Sequence, residues 1–190
     1  WHRQDAPEAA RFTRQLENTA RQLPDLQAAR PLDAAAIEHL EPALAKHFQQ
    51  GLYLPDEGQL DNRQLLEALR SQLDLMKVEL HWNSPRGPEA FSPGKAGQPD
   101  WVFDCRGLGA QAQWSAVRGV RGEVVRVHAP EVTLHRPVRL IHPRYPLYIA
   151  PKEEHVFVIG ATEIESEDMS PASVRSALEL MSAAYSVHSG

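Results

Sequence analysis

Asp100-Trp-Val-Phe-Asp-Cys-Arg-Gly-Leu-Gly-Ala110 is the stretch on which the reading of this 190-residue chain turns. Trp101, Val102 and Phe103 have the bulk and β-branching of a buried strand, and a loop rich in Pro and Gly precedes them. The apolar run stops at Gly107 and Gly109, and the residues after it read as the opening of a helix. Without a Cβ, both glycines let the backbone turn sharply and let a flat or phosphorylated ligand approach the amides. A plain tight turn has the same pattern, and both readings stand at this point.

Outward from that stretch, composition sets bounds. The chain holds 20 Lys and Arg against 25 Asp and Glu, for a formal charge of −5, so it has no basic excess with which to neutralise nucleic-acid phosphates. Cys105 is the single cysteine, which excludes an internal disulfide and a cysteine-based zinc site. The nine histidines form no His-x-x-x-His pair, and neither a Gly-x-Ser-x-Gly elbow nor a phosphate-binding Gly-Lys-Thr occurs. No apolar run approaches the roughly 20 residues that span a bilayer, so no membrane role and a cytoplasmic location are expected. The start at Trp1 inside a helical pattern, and the end at Gly190 just after another, read as an internal fragment.

Along the chain, Phe12, Leu16, Ala20 and Leu23 space an amphipathic helix over 8–23 with Pro24 as its stop. Asp33 caps a second helix through Glu41. A short strand comes next at 52–54. Asp61 with Gln64 forms a capping-box pattern for a third helix, whose expected buried face is Leu65, Leu66, Leu69, Leu73 and Met76. Residues 77–82 alternate as a strand, and with the helix before them suggest half of a nucleotide-fold crossover. Residues 83–99 carry the Pro and Gly of a surface loop. From Val120 the period changes to two. Strands are expected at 120–127, 132–135, 138–142, 147–150 and 155–161, with Lys152–His155 as a hairpin turn. Consecutive short strands make the sheet mainly antiparallel. Ser170-Pro171 reads as the start of a last helix with Val174, Leu178, Met181 and Tyr185 facing inward.

Four segments in order carry a resemblance. They are Gly51-Leu-Tyr-Leu-Pro-Asp-Glu-Gly-Gln-Leu-Asp-Asn62, Asp104-Cys-Arg-Gly-Leu-Gly-Ala110, Val120-Arg-Gly-Glu-Val-Val-Arg-Val127, and Tyr148-Ile-Ala-Pro151 with Val158-Ile-Gly-Ala-Thr-Glu163. In that order they resemble the D-amino-acid oxidase superfamily of flavoproteins, in its glycine oxidase and sarcosine oxidase branch. The likeness runs over essentially the whole chain. Two parts of such enzymes are not in it: the strand, Gly-x-Gly-x-x-Gly turn and helix that hold the adenosine diphosphate of FAD, and the Gly-x-Arg-Pro segment with a substrate-clamping arginine.

The resemblance implies an α+β / α/β fold: a mainly antiparallel substrate-domain sheet with flanking helices plus part of the FAD-binding domain. Residues 1–60 would be the helical part and first strand of the substrate side, 61–118 part of the FAD domain, and 119–190 the substrate-binding sheet and closing helix. The implied cofactor is FAD and the implied partner a small amine or amino acid, with homo-oligomerisation left open. The implied reaction is oxidative deamination of glycine, sarcosine or a D-amino acid: hydride transfer to flavin, release and hydrolysis of the imine, and reoxidation by oxygen. The alternatives are an amino-acid dehydrogenase that passes electrons to a carrier, and a non-catalytic binding module with a decayed flavin site. By itself the fragment is expected to be inactive.

Residue by residue, Tyr148 matches the tyrosine whose hydroxyl reaches the substrate carboxylate, a neutral donor that adds no charge; as a bare residue it is equally one more aromatic on a strand. Glu163 matches a pocket-lining position, where a carboxylate either attracts the amine or faces solvent. Around Pro85 and Arg86, relatives turn backbone toward the adenine of FAD, while an ordinary loop has the same residues. Arg106, Gly107, Leu108 and Gly109 match the flavin side of the nucleotide site. Arg121, with Arg118 before it, matches a basic position near the flavin ring, where a cation would stabilise negative charge; basic residues on a solvated strand fit the same pattern.

Overall fold

The computed structural model describes residues 1–23, 25–142 and 147–189, without the side chain of Arg3. The expected stop at Pro24 lies outside them. In chain order the elements are α1 (Ala6–Gln22), β1 (Arg30–Asp33), α2 (Ala34–Leu40), β2 (Gln50–Tyr53), α3 (Asn62–Leu75), β3 (Val120–Arg121), β4 (Val124–His128), β5 (Val138–Leu140), β6 (Leu147–Pro151), β7 (Val156–Gly160), β8 (Ile164–Glu165) and α4 (Val174–Val187). They divide between two compact units. The first comprises Trp1–Leu60, Gly122–Glu163 and Ser170–Gly190; the second comprises Asp61–Arg121 and Ile164–Met169.

The first unit is built on an antiparallel sheet of strand order β4-β7-β6-β5. Val124 pairs with Gly160, Gly160 with Tyr148, and Tyr148 with Arg139, so those four lie in one row across the sheet. Successive side chains on a strand point to opposite faces. Leu147 and Ile149 of β6, Phe157 and Ile159 of β7 and Leu140 of β5 therefore line one face, and they share a core with Leu180, Ala184 and Val187 of α4. The residues of the Val124–Arg139 row point away from α4. Ile37 of α2, with Leu44 and Phe48 after it, joins the same core. The hairpin β1–β2 is a separate antiparallel pair, with Arg30 opposite Tyr53.

Local chemistry explains where these elements start and stop. Asp33 caps α2 as expected, accepting from the amide of Ala36 at 2.8 Å. The expected turn between β6 and β7 is present, with Glu154 and His155 in the left-handed region at φ 56° and 54°, and the amide of Lys152 reaches the carbonyl of Val156 at 2.7 Å. Two such residues in succession make the turn whose twist matches the flanking strands. The stripe of α1 is less buried than its spacing suggests: Phe12, Leu16 and Ala20 are half-buried and Leu23 is exposed.

Four expectations for this unit are corrected. The expected strand 120–127 is two strands, because the amide of Glu123 is taken by the side-chain oxygen of Thr162 at 2.9 Å rather than by a ladder carbonyl. Residues 132–135 are not a strand, although Val132 and Leu134 are buried; they contribute apolar volume without a pairing partner. The last helix begins after Ser173, not Ser170, since the Ser173 hydroxyl accepts from the amide of Ser176. Its inward face is also not the one expected. Val174, Leu178, Met181 and Tyr185 are exposed, whereas Ser176, Leu180, Ala184 and Val187 are buried. Small side chains let the helix axis come closer to the sheet, and that decided the rotation over bulk.

The second unit holds α3, the long segment after it and the two-stranded ribbon β3–β8, with Val120 opposite Glu165 and Arg121 opposite Ile164. Asp61 caps α3 as its pattern predicts, accepting from the amides of Arg63 and Gln64 at 3.0 and 3.2 Å. The expected buried face is not buried: Leu65, Leu66, Leu69, Leu73 and Met76 are all exposed. Residues 77–82 are not a strand either. Lys77 sits at φ 56°, its amide bonds the carbonyl of Asp74, and that of Val78 bonds the carbonyl of Leu73, each at 3.0 Å. This is the left-handed stop that usually takes glycine, so these residues close the helix instead of opening a strand. Trp101–Phe103 pair with no strand, and Trp101 and Phe103 are 78% and 81% exposed.

Candidate functional site

Tyr148 is placed by its neighbours. Leu147 and Ile149 are fixed in the core, which forces Tyr148 onto the other face of β6, where it is 38% exposed. Its hydroxyl does not stand upright. A Cβ built on Gly160 in the next strand would lie 2.8 Å from the Tyr148 Oη, so the ring leans across β7. Glu163 is exposed and lies three residues beyond β7.

The segment that carries Glu163 is anchored by a residue not among the expected candidates. The carbonyl of Glu123 accepts from the amide of Thr162 at 3.1 Å, and its amide donates to the Thr162 hydroxyl. Its buried carboxylate accepts from the amide and hydroxyl of Ser173 at 3.2 and 3.3 Å. One acidic residue, through its backbone on one side and its carboxylate on the other, thus ties the segment after β7 to the start of α4. The available signal was a carboxylate inside Val120-Arg-Gly-Glu-Val-Val, since a charge in an apolar strand is buried only with partners.

The remaining candidates lie in the second unit. Arg106 is gripped by Asp104, its Nε and Nη2 donating to the two carboxylate oxygens at 2.8 Å each, and its Nη2 also reaches Gln113 at 3.2 Å. The Arg106 amide bonds the same carboxylate, so Asp104 is both a turn aspartate and a clamp. The side-chain bond from Arg106 holds the Asp104 carboxyl at about 2, well below the usual carboxylate range. Gly107 to Ala110 form a single 3-10 turn rather than the opening of a long helix. Gly107 has φ 58°, which calls for glycine, and nothing stands within 4 Å of the place its side chain would begin. Leu108 is exposed.

Pro85 and Arg86 are exposed in the segment after α3. Arg121 is the most buried of the candidate cations, and it is engaged: its Nη1 donates to the carbonyl of Asp168 at 2.6 Å and meets that carboxylate at 3.1 Å. Any charge it offers a ligand is already offset by Asp168. Arg118 is exposed. The structure thus groups Arg106–Gly109 in one turn and Tyr148 with Gly160 in another place.

A cavity of about 270 Å³ runs along the β5 edge of the first unit, lined by residues that include Phe12, Ile37, Phe48, Tyr53 and Arg139; neither Tyr148 nor Glu163 lines it. Among the described residues no group of three His, Cys, Asp or Glu could hold a metal ion. Likewise no described helix is long and apolar enough to cross a membrane.

The fold is mixed, with antiparallel sheets, a phenol on the sheet face turned away from α4 and an arginine-braced glycine turn; the family match says which class of protein carries them. The chain belongs to the FAD dependent oxidoreductase family, DAO, whose model matches residues 1–189; FAD is the cofactor of that family. A relative from Rhizobium etli named as a thiamine biosynthesis oxidoreductase, ThiO, is 42% identical over 161 residues, which cover 83% of this chain and 46% of the relative. The bifunctional protein ThiO/ThiG of Synechocystis is 27% identical over 153 residues, covering 74% of this chain and 23% of that protein. The chain therefore spans less than half the length of either relative.

Two solved structures share the fold. Glycine oxidase from Bacillus cereus gives a TM-score of 0.66 at 19% identity over 93% of this chain and 52% of that one. Glycine oxidase from Geobacillus kaustophilus gives 0.66 at 22% identity over 86% and 47%.

The donors in the second unit suit part of such a cofactor. The Arg106 guanidinium is paired with Asp104, so the fit rests on backbone: the amides that open the turn at Gly107 lack partners within it, and the space beside Gly107 admits a planar or anionic group. No Gly-x-Gly-x-x-Gly occurs in the 190 residues, so the pyrophosphate cradle is not among them.

Proposed function

We propose that the protein carrying this chain oxidises a small amine or amino acid with FAD, and that the chain supplies the wall that receives the substrate. The observation that carries this reading is Tyr148: a phenol turned away from the core of a sheet in a family of FAD dependent oxidoreductases. A phenol there donates a hydrogen bond to a carboxylate without adding charge. Glu163, exposed beyond β7, contributes negative charge toward a substrate amine. Together they orient the carbon that bears the amine, which is the part of catalysis left to the protein when a cofactor carries the hard step.

When bound, the flavin supplies a two-electron acceptor. Arg106, Gly107, Leu108 and Gly109 are the residues of this chain we assign to holding it, with Pro85, Arg86 and Arg121 as further contacts. Glycine, sarcosine or a D-amino acid is the substrate class, in keeping with the glycine oxidases that share the fold and the ThiO relative.

The test uses the full-length protein. It is expected to purify yellow and to release peroxide with glycine, sarcosine or a D-amino acid, and Tyr148→Phe is expected to raise KM roughly tenfold through the lost hydrogen bond. A yellow protein that reduces a dye but not oxygen would convert the reading to a dehydrogenase. A colourless one would leave a binding module.

A further inference from the structure

Gly160 ends β7, the strand that lies between β4 and β6, and pairs with Val124 on one side and Tyr148 on the other. Its φ is not among the positive values of the chain, so the left-handed region is not what places a glycine here. Space is. A Cβ at this position would stand 2.6 Å from Val124 Cγ1, 2.8 Å from Tyr148 Oη and 2.9 Å from Tyr148 Cζ. Real side chains do not approach so closely, so the tip of the tyrosine occupies the volume that any other residue would fill.

An aromatic ring lying over a cross-strand glycine is a known way for a sheet to cover exposed backbone. Here it also fixes a direction. Tyr148 has two cross-strand partners, Gly160 on β7 and Arg139 on β5. The ring leans toward the first, and the Arg139 guanidinium lies instead near Glu57 at 4.0 Å and over the Phe12 ring. The hydroxyl is thereby delivered over β7, with Val124 of β4 as the far wall of the slot.

We propose that Gly160 is a positioning residue: its missing side chain is the slot that holds the Tyr148 phenol across β7 and so sets where the substrate carboxylate is received. The proposal rests on the reading of Tyr148 as the carboxylate donor. It assigns to Gly160 a role separate from turn geometry, and it makes any side chain at position 160 a change in specificity and affinity before it is a change in fold.

The experiment uses the full-length flavoprotein with Gly160→Ala and Tyr148→Phe, singly and combined, and Gly160→Ala/Val124→Ala, which removes the aliphatic clash and keeps the one with the phenol. Acetate is the probe of carboxylate binding, monitored by perturbation of the flavin absorbance. Fluorotyrosine at position 148 reports the ring's surroundings by fluorine resonance, independently of turnover. Gly160→Ala is expected to weaken acetate binding about tenfold, the worth of one lost hydrogen bond, and to raise KM with kcat nearly held. Adding Tyr148→Phe should cost nothing further, and the fluorine resonance should move.

If Gly160→Ala melts early, the pair with Val124→Ala is the variant scored, and the same weakening is required of it. Normal acetate binding and an unmoved resonance in either folded variant, while Tyr148→Phe weakens binding, would overturn the positioning role and leave the Tyr148 reading intact. Normal acetate binding in Tyr148→Phe would overturn both.

Discussion

Helices α3 and α4 are each fourteen residues long and each carries an apolar stripe, yet they end in opposite circumstances. Four residues of α4 are buried against a sheet, and α3 buries none. The contrast extends to the units around them: the first has a core drawn from three strands and several helical segments, and the second has no buried residue among its described residues. Periodicity creates a face, but only a partner surface gives that face a free energy of burial. Local hydrogen bonds, not packing, account for the second unit's order: the Asp61 cap, the left-handed stop at Lys77 and the Asp104–Arg106 clamp.

The widest gap between the units should appear on truncating a leucine in each. Leu147→Ala removes a side chain 1% exposed and is expected to destabilise the chain by about 2–5 kcal/mol. Leu66→Ala, at 66% exposed, should stay within about 0.5 kcal/mol in the 190-residue chain. Denaturant midpoints of the two variants measure the difference. Repeating the Leu66 substitution in full-length protein sharpens it, because a cost of leucine-core size there would show that α3 acquires a partner surface.

Asp61→Ala comes next. Loss of the two bonds to the first turn should cost α3 about 1 kcal/mol. Both bonds lie within the first turn of α3 itself, so amide exchange is expected to speed up in Asn62–Leu75 and remain unchanged in β6 and β7. Equal acceleration in both would dissolve the division into two units.

The smallest effect concerns the Asp104–Arg106 clamp. With the Asp104 carboxyl held at about 2 by the arginine, the ionised contact is fully favoured above the ordinary value of 3.8 and is lost as pH falls through about 2. Tryptophan emission from Trp101 and Trp114, close in sequence to the clamp, should therefore be steady from pH 7 to 4 and change only near 2. In Asp104→Asn that transition should vanish. A wild-type transition near 4 would mean that the two side chains do not pair in solution.

Legibility in the sequence divides along the same line. Caps and turns were legible because their chemistry is local: Asp33, Asp61 and the turn at Lys152–His155 each bond within a few residues. The antiparallel character of the sheet was legible from short connections, whereas the pairing of β4 with β7, which skips two strands, was not. Trp101–Phe103 and 77–82 were misread because a strand is defined by its partner, and composition cannot report whether one arrives. The face of α4 was misjudged because Ser176 and Ala184 look like surface residues until a sheet comes close enough to require them. At the candidate site, Tyr148 and the glycine turn could be picked out as residues, whereas the Gly160 slot and the Glu123 anchor depend on contacts across 12 and 50 positions, which no spacing rule encodes.

The covalent path has a consequence of its own. The backbone passes from one unit to the other four times, at 60–61, 121–122, 163–164 and 169–170. A protease that nicks the exposed 83–99 loop would leave residues 1–60 attached to the first unit by noncovalent means: core contacts of Ile37, Leu44 and Phe48, the Gln59 side-chain bond to the carbonyl of Pro151, and Lys152 on the carbonyl of Leu60 at 2.9 Å. Such a cut protein should migrate as a single particle under native conditions and separate into two polypeptides only in denaturant, so no one deletion boundary could liberate either half intact.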